Sequence, residues 1–444
     1  MIKKILSRIF KSKIIRDSIN ITIWNTIGKA AAFLIPFFIA AFFGISDETD
    51  AFFYTYTVVL FASGIFSPAL EKITVPFIYE AKKNQEDISR FIGSIFMIST
   101  ILLLLLSGIL LSFLKPLLSF ITRFDPKEID LIFILFLELI PFIVLLCWTS
   151  ILTGLLNADK RFVLPSVSPL LRAIVNLLMI VIFKNILGVH SIAMGYIAGE
   201  FFRFIILFIY IYRKGVCRIR FGSITKKTID FLKISSYQVL SMVIVGLYPI
   251  IDKTMASWLE KGSVSILEYA SRLYDIPQTF VGTGIMVVLL SYWSDNYYKY
   301  GRQRLKNDVI KAIKVISIIS IFISFLLILL NKQIVTIAFG RGEFDLDQIP
   351  LVAGTFTFFM FGFLSFTINT VFVQAHIVLK NTKILLFGGI FIIIFNIIFN
   401  YILMMFFKVS GIAISTSLTS TFALLYFGIY FLKSVNTVKI DSRN

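Results

Sequence analysis

Long apolar runs constrain this chain more than any other feature. A helix that rises 1.5 Å per residue needs about 20 apolar residues to cross a hydrocarbon core roughly 30 Å thick. Runs of this kind recur from one end of the 444 residues to the other and leave no room for a separate soluble domain. The predicted spans are residues 18–43, 51–79, 91–114, 131–156, 163–183, 191–212, 231–256, 266–293, 309–330, 349–379, 384–407 and 411–432. We therefore expect an all-α integral membrane protein with about 12 transmembrane helices.

Composition agrees with a bilayer protein and excludes one partner class. The chain is 58% hydrophobic and 15% charged, whereas soluble domains are near half apolar and a quarter charged. Its net charge of +18 would suggest nucleic acid in a soluble protein. Here the basic residues lie between apolar runs and do not alternate with aromatics, so we predict a topology signal and no nucleic-acid partner.

The distribution of Lys and Arg predicts the orientation. With the amino terminus inside, the inner segments hold 26 Lys and Arg residues and the outer loops hold 8. Positive charge is retained on the cytoplasmic side. The sequence therefore predicts that both termini are cytoplasmic, which requires an even number of spans.

A weak internal repeat predicts two lobes. The segment LLNADKRF around the fifth span resembles VLKNTKIL before the eleventh, with Lys160 and Lys383 at an offset of 223. Ala193 matches Ala413 at an offset of 220. We expect six-helix lobes at residues 1–215 and 216–444 around a central cavity, the arrangement in which transporters bind substrate near the midplane.

Charged side chains inside the apolar runs are the candidate functional residues, because an ionised group in hydrocarbon is costly unless it is paired or lines a wet cavity. Glu200 and Arg203, three residues apart on one helical face, favour a structural ion pair. Arg172 either binds substrate or pairs with a neighbouring helix. Asp252 and Lys253 lie near the outer end of their span, where we expect water to solvate their charges. The candidates for ion coupling are the carboxylates Glu138, Asp252, Asp275 and Glu200.

Two cations favour an anionic ligand. Lys29 lies in the middle of the first predicted span, and Arg272 lies early in the eighth beside Pro277. If they line a shared cavity, they would attract a diphosphate or another anionic head group. His376 is expected to be a hydrogen-bonded core residue, and Asn176, Asn396 and Asn400 are expected to join helices.

Enzymatic function and bound cofactors are not indicated. The sequence contains no Walker lysine motif, dinucleotide glycine fingerprint, Gly-x-Ser-x-Gly elbow or metal-spaced His/Cys/Glu set. Without a nucleotide site, we expect membrane potential or an ion gradient to drive transport. A non-transporting scaffold and a membrane enzyme of envelope synthesis are the alternatives from other classes.

Four segments in order resemble the MurJ/MviN family of lipid II flippases. They are GISDETDAFFYTY, LTGLLNADKRFVLPSVSPLLRAIVNLLMI, GSVSILEYASRLYDIPQTFVGTGIMVVLL and FGRGEFDLDQ. The resemblance implies a two-lobed member of the multidrug/oligosaccharidyl-lipid/polysaccharide exporter superfamily in the bacterial cytoplasmic membrane. Its implied partners are membrane lipids and an undecaprenyl-diphosphate-linked oligosaccharide, moved from the inner to the outer leaflet by a monomer.

The resemblance also implies site residues. It places the eighth-helix arginine at Arg272, an aspartate after the first helix at Asp50 and a first-helix cation at Lys29. A second basic position of the family falls on Ile35 here, and a further arginine of its second helix falls near Ser63. The two extra spans of many lipid II flippases are not expected in this chain. A flippase for a surface-polysaccharide repeat unit and a cation-coupled drug exporter of the same superfamily are therefore the alternatives within the class.

Overall fold

The computed structural model describes residues 13–83, 87–220, 226–279, 286–379 and 381–436. Within these ranges the chain consists of helices joined by short turns, and they contain no β-strand. Wherever the structure describes the predicted spans, they coincide with helix except at the turn residues 330, 362 and 379. The predicted all-α class is confirmed.

The helices are longer than most of the predicted spans. The first six are α1 (Lys13–Phe43), α2 (Asp47–Lys83), α3 (Ile88–Ile121), α4 (Pro126–Ala158), α5 (Val163–Leu187) and α6 (His190–Arg213). The next are α7 (Lys226–Ala256), α8 (Ser263–Thr279), α9 (Met286–Leu329), α10 (Asn331–Phe339), α11 (Ile349–Phe361), α12 (Phe363–Val378) and α13 (Thr382–Asn436). The predicted bounds followed apolar composition, whereas helical hydrogen bonding continues into the polar ends.

Acidic residues begin two of the helices. The Asp87 carboxylate accepts hydrogen bonds from the backbone N–H groups of Ser89 and Arg90 at the start of α3. At the start of α4, the Asp125 backbone N–H donates to Glu128 Oε2 at 2.6 Å in a capping box, and Pro126 follows directly. Both arrangements satisfy amide groups that a helix leaves unpaired in its first turn.

Three breaks divide the second half of the chain. Gly301 (φ 76°) interrupts α9, and Lys408 (φ 51°) interrupts α13 between the spans predicted at 384–407 and 411–432. Gly362 separates α11 from α12, and the two segments on either side of it are bent by 40°. The positive φ angles at Gly301 and Lys408 are accessible to glycine without steric cost and are rare for lysine.

Six helices in the described residues are long and apolar enough to cross a bilayer, and the bent α11–α12 pair makes a seventh candidate. The six are α3, α4, α5, α6, Lys299–Leu329 of α9 and Lys383–Asn436 of α13. Large apolar side chains stand exposed along them, as at Phe120 (89%) and Phe406 (76%). Hydrocarbon solvates such side chains, so exposure here indicates a lipid-facing surface.

The chain forms two compact units. Unit 1 contains residues up to Phe43 and Asp47–Gly246, and unit 2 contains Gly44–Ser46 and Leu247–Asn444. The division between these units lies inside α7, and the six-helix lobes at residues 1–215 and 216–444 stay a prediction. In unit 1, α2 packs on α4 and α6 packs on α5; in unit 2, α13 packs on α11 and α12.

Candidate functional site

A buried carboxylate joins three helices of unit 1. Glu200 of α6 is 0% exposed, and its Oε2 lies 3.1 Å from Arg172 Nη1 of α5. Its Oε1 lies 3.0 Å from Arg203 Nη1 and accepts a 2.5 Å hydrogen bond from Thr149 Oγ1 of α4. The predicted Glu200–Arg203 ion pair is confirmed, and Arg172 joins the same pair from the neighbouring helix.

Hydroxyl groups complete the contacts of Arg203. Its Nε donates to Ser168 Oγ at 3.0 Å, and its Nη2 donates to Thr153 Oγ1 at 3.5 Å. Glu71 of α2, which accepts a 3.3 Å hydrogen bond from Asn157, lies close enough to interact with Arg203 electrostatically. These contacts satisfy charges that would be costly inside a membrane protein.

Glycines let the helices of this cluster approach closely. A Cβ added to Gly199 would lie 2.6 Å from the Arg172 carbonyl oxygen, and one added to Gly195 would lie 2.6 Å from Asn176 Oδ1. The two glycines form a Gly-x-x-x-Gly pair on α6. Small residues at this spacing bring helix backbones together in membranes, and here they bring Glu200 within reach of Arg172.

Glu138 of α4 faces a histidine. Both of its carboxylate oxygens lie near His190 Nδ1 at the start of α6, at 2.9 and 3.0 Å. The side chains are 20% and 33% exposed, respectively. The ion-coupling candidate Glu138 thus has a titratable partner.

Asp50 is buried in the first turn of α2 and is 3% exposed. Asp47 and Glu48 belong to the same turn. Acidic side chains at this position interact favourably with the positive end of the helix dipole. The structure therefore places Asp50 where it stabilises the start of α2.

A second buried carboxylate organises the charges of unit 2. Glu268 of α8 is 4% exposed, and its Oε2 lies 2.5 Å from Lys253 Nζ of α7. Its Oε1 accepts a 2.5 Å hydrogen bond from Arg272 Nε, one turn further along α8. Arg272 Nη1 lies 3.6 Å from Asp275 Oδ2. Arg272 is thus part of a network of two cations and two carboxylates, and its side chain is 26% exposed.

Asp252 contacts amide groups. Its Oδ1 accepts hydrogen bonds from Asn396 Nδ2 at 3.1 Å and Asn400 Nδ2 at 2.7 Å. These contacts join α7 to α13 and confirm the expected role of the two asparagines. The expectation that Asp252 and Lys253 are solvated at a helix end is wrong, because they are only 8% and 5% exposed.

Two remaining predictions have different outcomes. His376 Nε2 donates a 2.9 Å hydrogen bond to the Phe427 carbonyl oxygen, and its Nδ1 accepts a 3.2 Å hydrogen bond from Asn381 Nδ2. Its predicted core role is confirmed. Lys29 lies in α1, and its side chain is outside the described residues. Its predicted contact with a ligand stays a prediction.

Three charged or titratable members of these clusters were not predicted from the sequence: Glu268, Glu71 and His190. Glu268 could have been predicted from the sequence, because it precedes Arg272 by four residues and therefore lies on the same face of a helix. Glu71 lies within the predicted span 51–79, but Asn157 and Arg203 are on α4 and α6, and the sequence neighbours of Glu71 do not indicate them. Glu138 and His190 are 52 residues apart, and only the packing of α6 against α4 brings them together.

Within the described ranges, no group of three His, Cys, Asp or Glu side chains is arranged to hold a metal ion. The chemistry that the clusters offer is ionic. Guanidinium groups in fixed orientations can bind a phosphate through parallel hydrogen bonds. Arg172 and Arg272 are both suited to this role, because each is about a quarter exposed and each is oriented by a buried glutamate.

Comparison with known proteins identifies the family. The family described as "Lipid II flippase MurJ" matches residues 39–442. A probable lipid II flippase MurJ from Buchnera aphidicola subsp. Acyrthosiphon pisum is 25% identical over 445 residues, covering 95% of this chain and 85% of the relative. One from Borreliella burgdorferi is 23% identical over 403 residues, covering 90% and 79%.

Solved structures agree in fold. A lipid II flippase MurJ in an inward closed conformation superposes with a TM-score of 0.79 at 22% identity, covering 95% of this chain and 90% of that one. An inward-facing multidrug resistance MATE family transporter of the MOP superfamily gives a TM-score of 0.80 at 13% identity, covering 94% and 96%. The match to the family and the curated relatives, together with the apolar helices, indicates a multi-pass protein of the bacterial inner membrane. The chain belongs to the lipid II flippase MurJ family of transporters.

Proposed function

We propose that this protein translocates a lipid II-like polyprenyl-diphosphate-linked oligosaccharide from the inner to the outer leaflet by alternating access. The match of the family over residues 39–442 carries this proposal. It favours lipid II over a surface-polysaccharide repeat unit, because the curated relatives are named as lipid II flippases. The drug exporter has less support, since the MATE neighbour shares only 13% identity and bears on the fold alone.

Arg272 is the proposed contact for the diphosphate. Its Nε is held by Glu268 at 2.5 Å, while its Nη1 faces the more exposed Asp275 at the longer distance of 3.6 Å. A phosphate oxygen can replace Asp275 at Nη1 while Glu268 keeps the guanidinium in place. Exchange of one anion for another avoids the cost of bringing an unpaired arginine into a buried site.

Arg172 and Lys29 are the proposed additional cations, and Arg172 is oriented by Glu200 as Arg272 is by Glu268.

Asp50 is a weaker candidate for direct contact with the head group. It is buried, and its carboxylate would repel a phosphate. We assign Asp50 to the start of α2 and not to the head group.

Asp252 is the proposed site of ion coupling. Glu200 and Asp275 face arginines, and Glu138 faces a histidine, whereas the hydrogen bonds of Asp252 come from neutral amides. A carboxylate with neutral donors can gain a proton or cation without first breaking an ion pair. Movement of one charge across 100 mV is worth about 2.3 kcal/mol, so membrane potential or an ion gradient can drive the cycle without a nucleotide. We further propose a monomer with both termini in the cytoplasm.

Transport of a fluorescent polyprenyl-diphosphate-linked sugar in reconstituted vesicles tests the proposal. Arg272→Ala should slow translocation by roughly ten- to hundredfold, the value of a hydrogen bond to a charged group. Arg272→Lys should restore only part of the rate, because lysine lacks the Nε–H that binds Glu268. Arg341→Ala, an exposed arginine in the loop after α10, is the control. Unchanged transport in Arg272→Ala would refute the phosphate contact.

Complementation decides the glycan. A strain depleted of its own lipid II flippase should grow when it expresses this chain and should not grow when it expresses Arg272→Ala at equal membrane abundance. Growth rescue confined to a strain lacking a surface-polysaccharide flippase would support the alternative substrate.

A further inference from the structure

The break at Gly301 shapes a cavity within α9. The limb before the break contributes Tyr292, Trp293 and Asn296, and the limb after it contributes residues between Asp308 and Ile319. Asn296 Nδ2 donates a 2.7 Å hydrogen bond to Asp308 Oδ2, which ties the two limbs together. The cavity has a volume of about 370 Å³, within the size range of small-molecule sites.

The cavity has a polar end and an apolar end. Asn296, Asp308 and Lys311 line the first, whereas Val315, Ile316 and Ile319 line the second. Ile316 and Trp293 are each 3% exposed and form its floor, and Val315 is 58% exposed at its opening. The residues after Val315 continue as an apolar span to Leu329, so the cavity lies where polar chain enters hydrocarbon. Tyr and Trp are enriched at that boundary.

The surrounding charge is strongly positive. Between residues 299 and 314 the chain holds one acidic side chain, Asp308, which faces Arg304 at 3.4 Å. The same segment holds six basic side chains, Lys299, Arg302, Arg304, Lys306, Lys311 and Lys314. Among the six, only Lys311 lines the cavity, and in the part of the chain that the structure describes it forms no ion pair.

We propose that the cavity beside the Gly301 break binds an anionic phospholipid, with its phosphate at Lys311 and an acyl chain along Val315, Ile316 and Ile319. The sequence predicts that this end of α9 is cytoplasmic, and the lipid would come from that leaflet. A phosphate beside Lys311 satisfies the excess positive charge, while an acyl chain fills apolar space that water would occupy unfavourably. This lipid is a resident ligand of the bilayer and is separate from the transported substrate.

The alternative to a binding site is a basic surface that attracts anionic lipids without binding one in a cavity. Lysines that act only as a topology signal need no adjoining apolar cavity, and they attract anionic lipids in proportion to their number. Lys314 provides that comparison. Like Lys311 it is exposed, and it lies about one turn further along the same helix, but it does not line the cavity.

Quenching of Trp293 by brominated lipid tests the proposal. The substitutions Trp24→Phe, Trp148→Phe and Trp258→Phe leave Trp293 as the single tryptophan, so that all tryptophan fluorescence comes from it. The full-length protein with these substitutions is reconstituted in vesicles. Lipids brominated near the carboxyl end of the acyl chain are compared as phosphatidylglycerol and phosphatidylcholine. In the parent protein, brominated phosphatidylglycerol should quench Trp293 at a lower lipid fraction than brominated phosphatidylcholine. Lys311→Gln should reduce this preference about fivefold, as expected for one lysine near an anionic head group.

Two further variants separate a site from general attraction. Lys314→Gln should retain most of the preference, and Ala312→Phe, which fills the cavity without changing its charge, should lose it. An equal loss in Lys311→Gln and Lys314→Gln would overturn the proposal in favour of surface attraction. Absence of any preference in the parent, or full preference in Ala312→Phe, would overturn it as well.

Discussion

Replacement of Glu268 by glutamine should destabilise unit 2 more than any exposed charge change. The amide keeps the shape of the side chain but cannot neutralise Lys253 Nζ or Arg272 Nε, each 2.5 Å from a carboxylate oxygen. Lys253 and Glu268 side chains are 7% and 5% exposed, so solvent does little to screen the loss. Removing one partner of a buried ion pair costs about 3–5 kcal/mol.

We expect the lower end of that range, because Arg272 keeps Asp275 at 3.6 Å. A loss of about 3 kcal/mol corresponds to a fall in Tm of roughly 6–12 °C for a unit of about 200 residues. Thermal unfolding in detergent, followed by intrinsic fluorescence, measures it. Glu260→Gln is the matched control, since the Glu260–Lys408 pair is 76% and 67% exposed and should leave Tm unchanged.

A double variant tests the cause. Lys253→Met together with Glu268→Gln removes both the buried ammonium and its carboxylate, and an apolar chain of similar length can replace a buried ion pair at little cost. We expect the double variant to recover part of the lost stability. A Tm of Glu268→Gln within 1 °C of the parent, on the scale set by about 3 kcal/mol, would refute the argument. A double variant less stable than Glu268→Gln would refute it equally.

Two further predictions concern helix packing and a loop thiol. Gly199→Leu should lower stability by about 1–3 kcal/mol through overpacking, because a Cβ would lie 2.6 Å from the Arg172 carbonyl oxygen. Gly108→Leu on α3 is the control and should leave stability unchanged, because a Cβ there meets no atom within 4 Å. Thermal unfolding of both variants measures the difference. Burial, with a smaller contribution from Asp87, raises the pKa of the Cys217 thiol, so its thiolate forms at higher pH than that of a free cysteine. Alkylation by iodoacetamide, followed by mass spectrometry, should therefore still accelerate at a pH where free cysteine has reached its plateau, and Asp87→Asn should shift the profile to lower pH. A plateau shared with free cysteine would contradict the prediction.

The positions of the helices could be predicted because apolar run length is a local property of the sequence. The break at Lys408 falls between two predicted spans for the same reason. The ion pair of Glu200 and Arg203 was also predictable, since a spacing of three residues places both on one helical face.

The partners between helices could not be predicted. Lys253 meets Glu268, and Asp252 meets Asn400, only because α7 packs beside α8 and α13. The expectation of solvation at the end of α7 failed because it considered position along the helix and not the neighbours around it. A span read from one sequence contains no information on which face a neighbouring helix covers.

The short segment Gly44–Ser46 has a consequence for dividing the protein. It connects α1 to α2 of unit 1 but belongs to unit 2, where the Tyr269 hydroxyl donates a 2.7 Å hydrogen bond to the Gly44 carbonyl and the Glu343 backbone leaves no space for a side chain at residue 44. A pair of fragments made by cutting between α6 and α7 would therefore not reproduce the two units. The carboxy-terminal fragment would lack Gly44–Ser46, which the amino-terminal fragment retains.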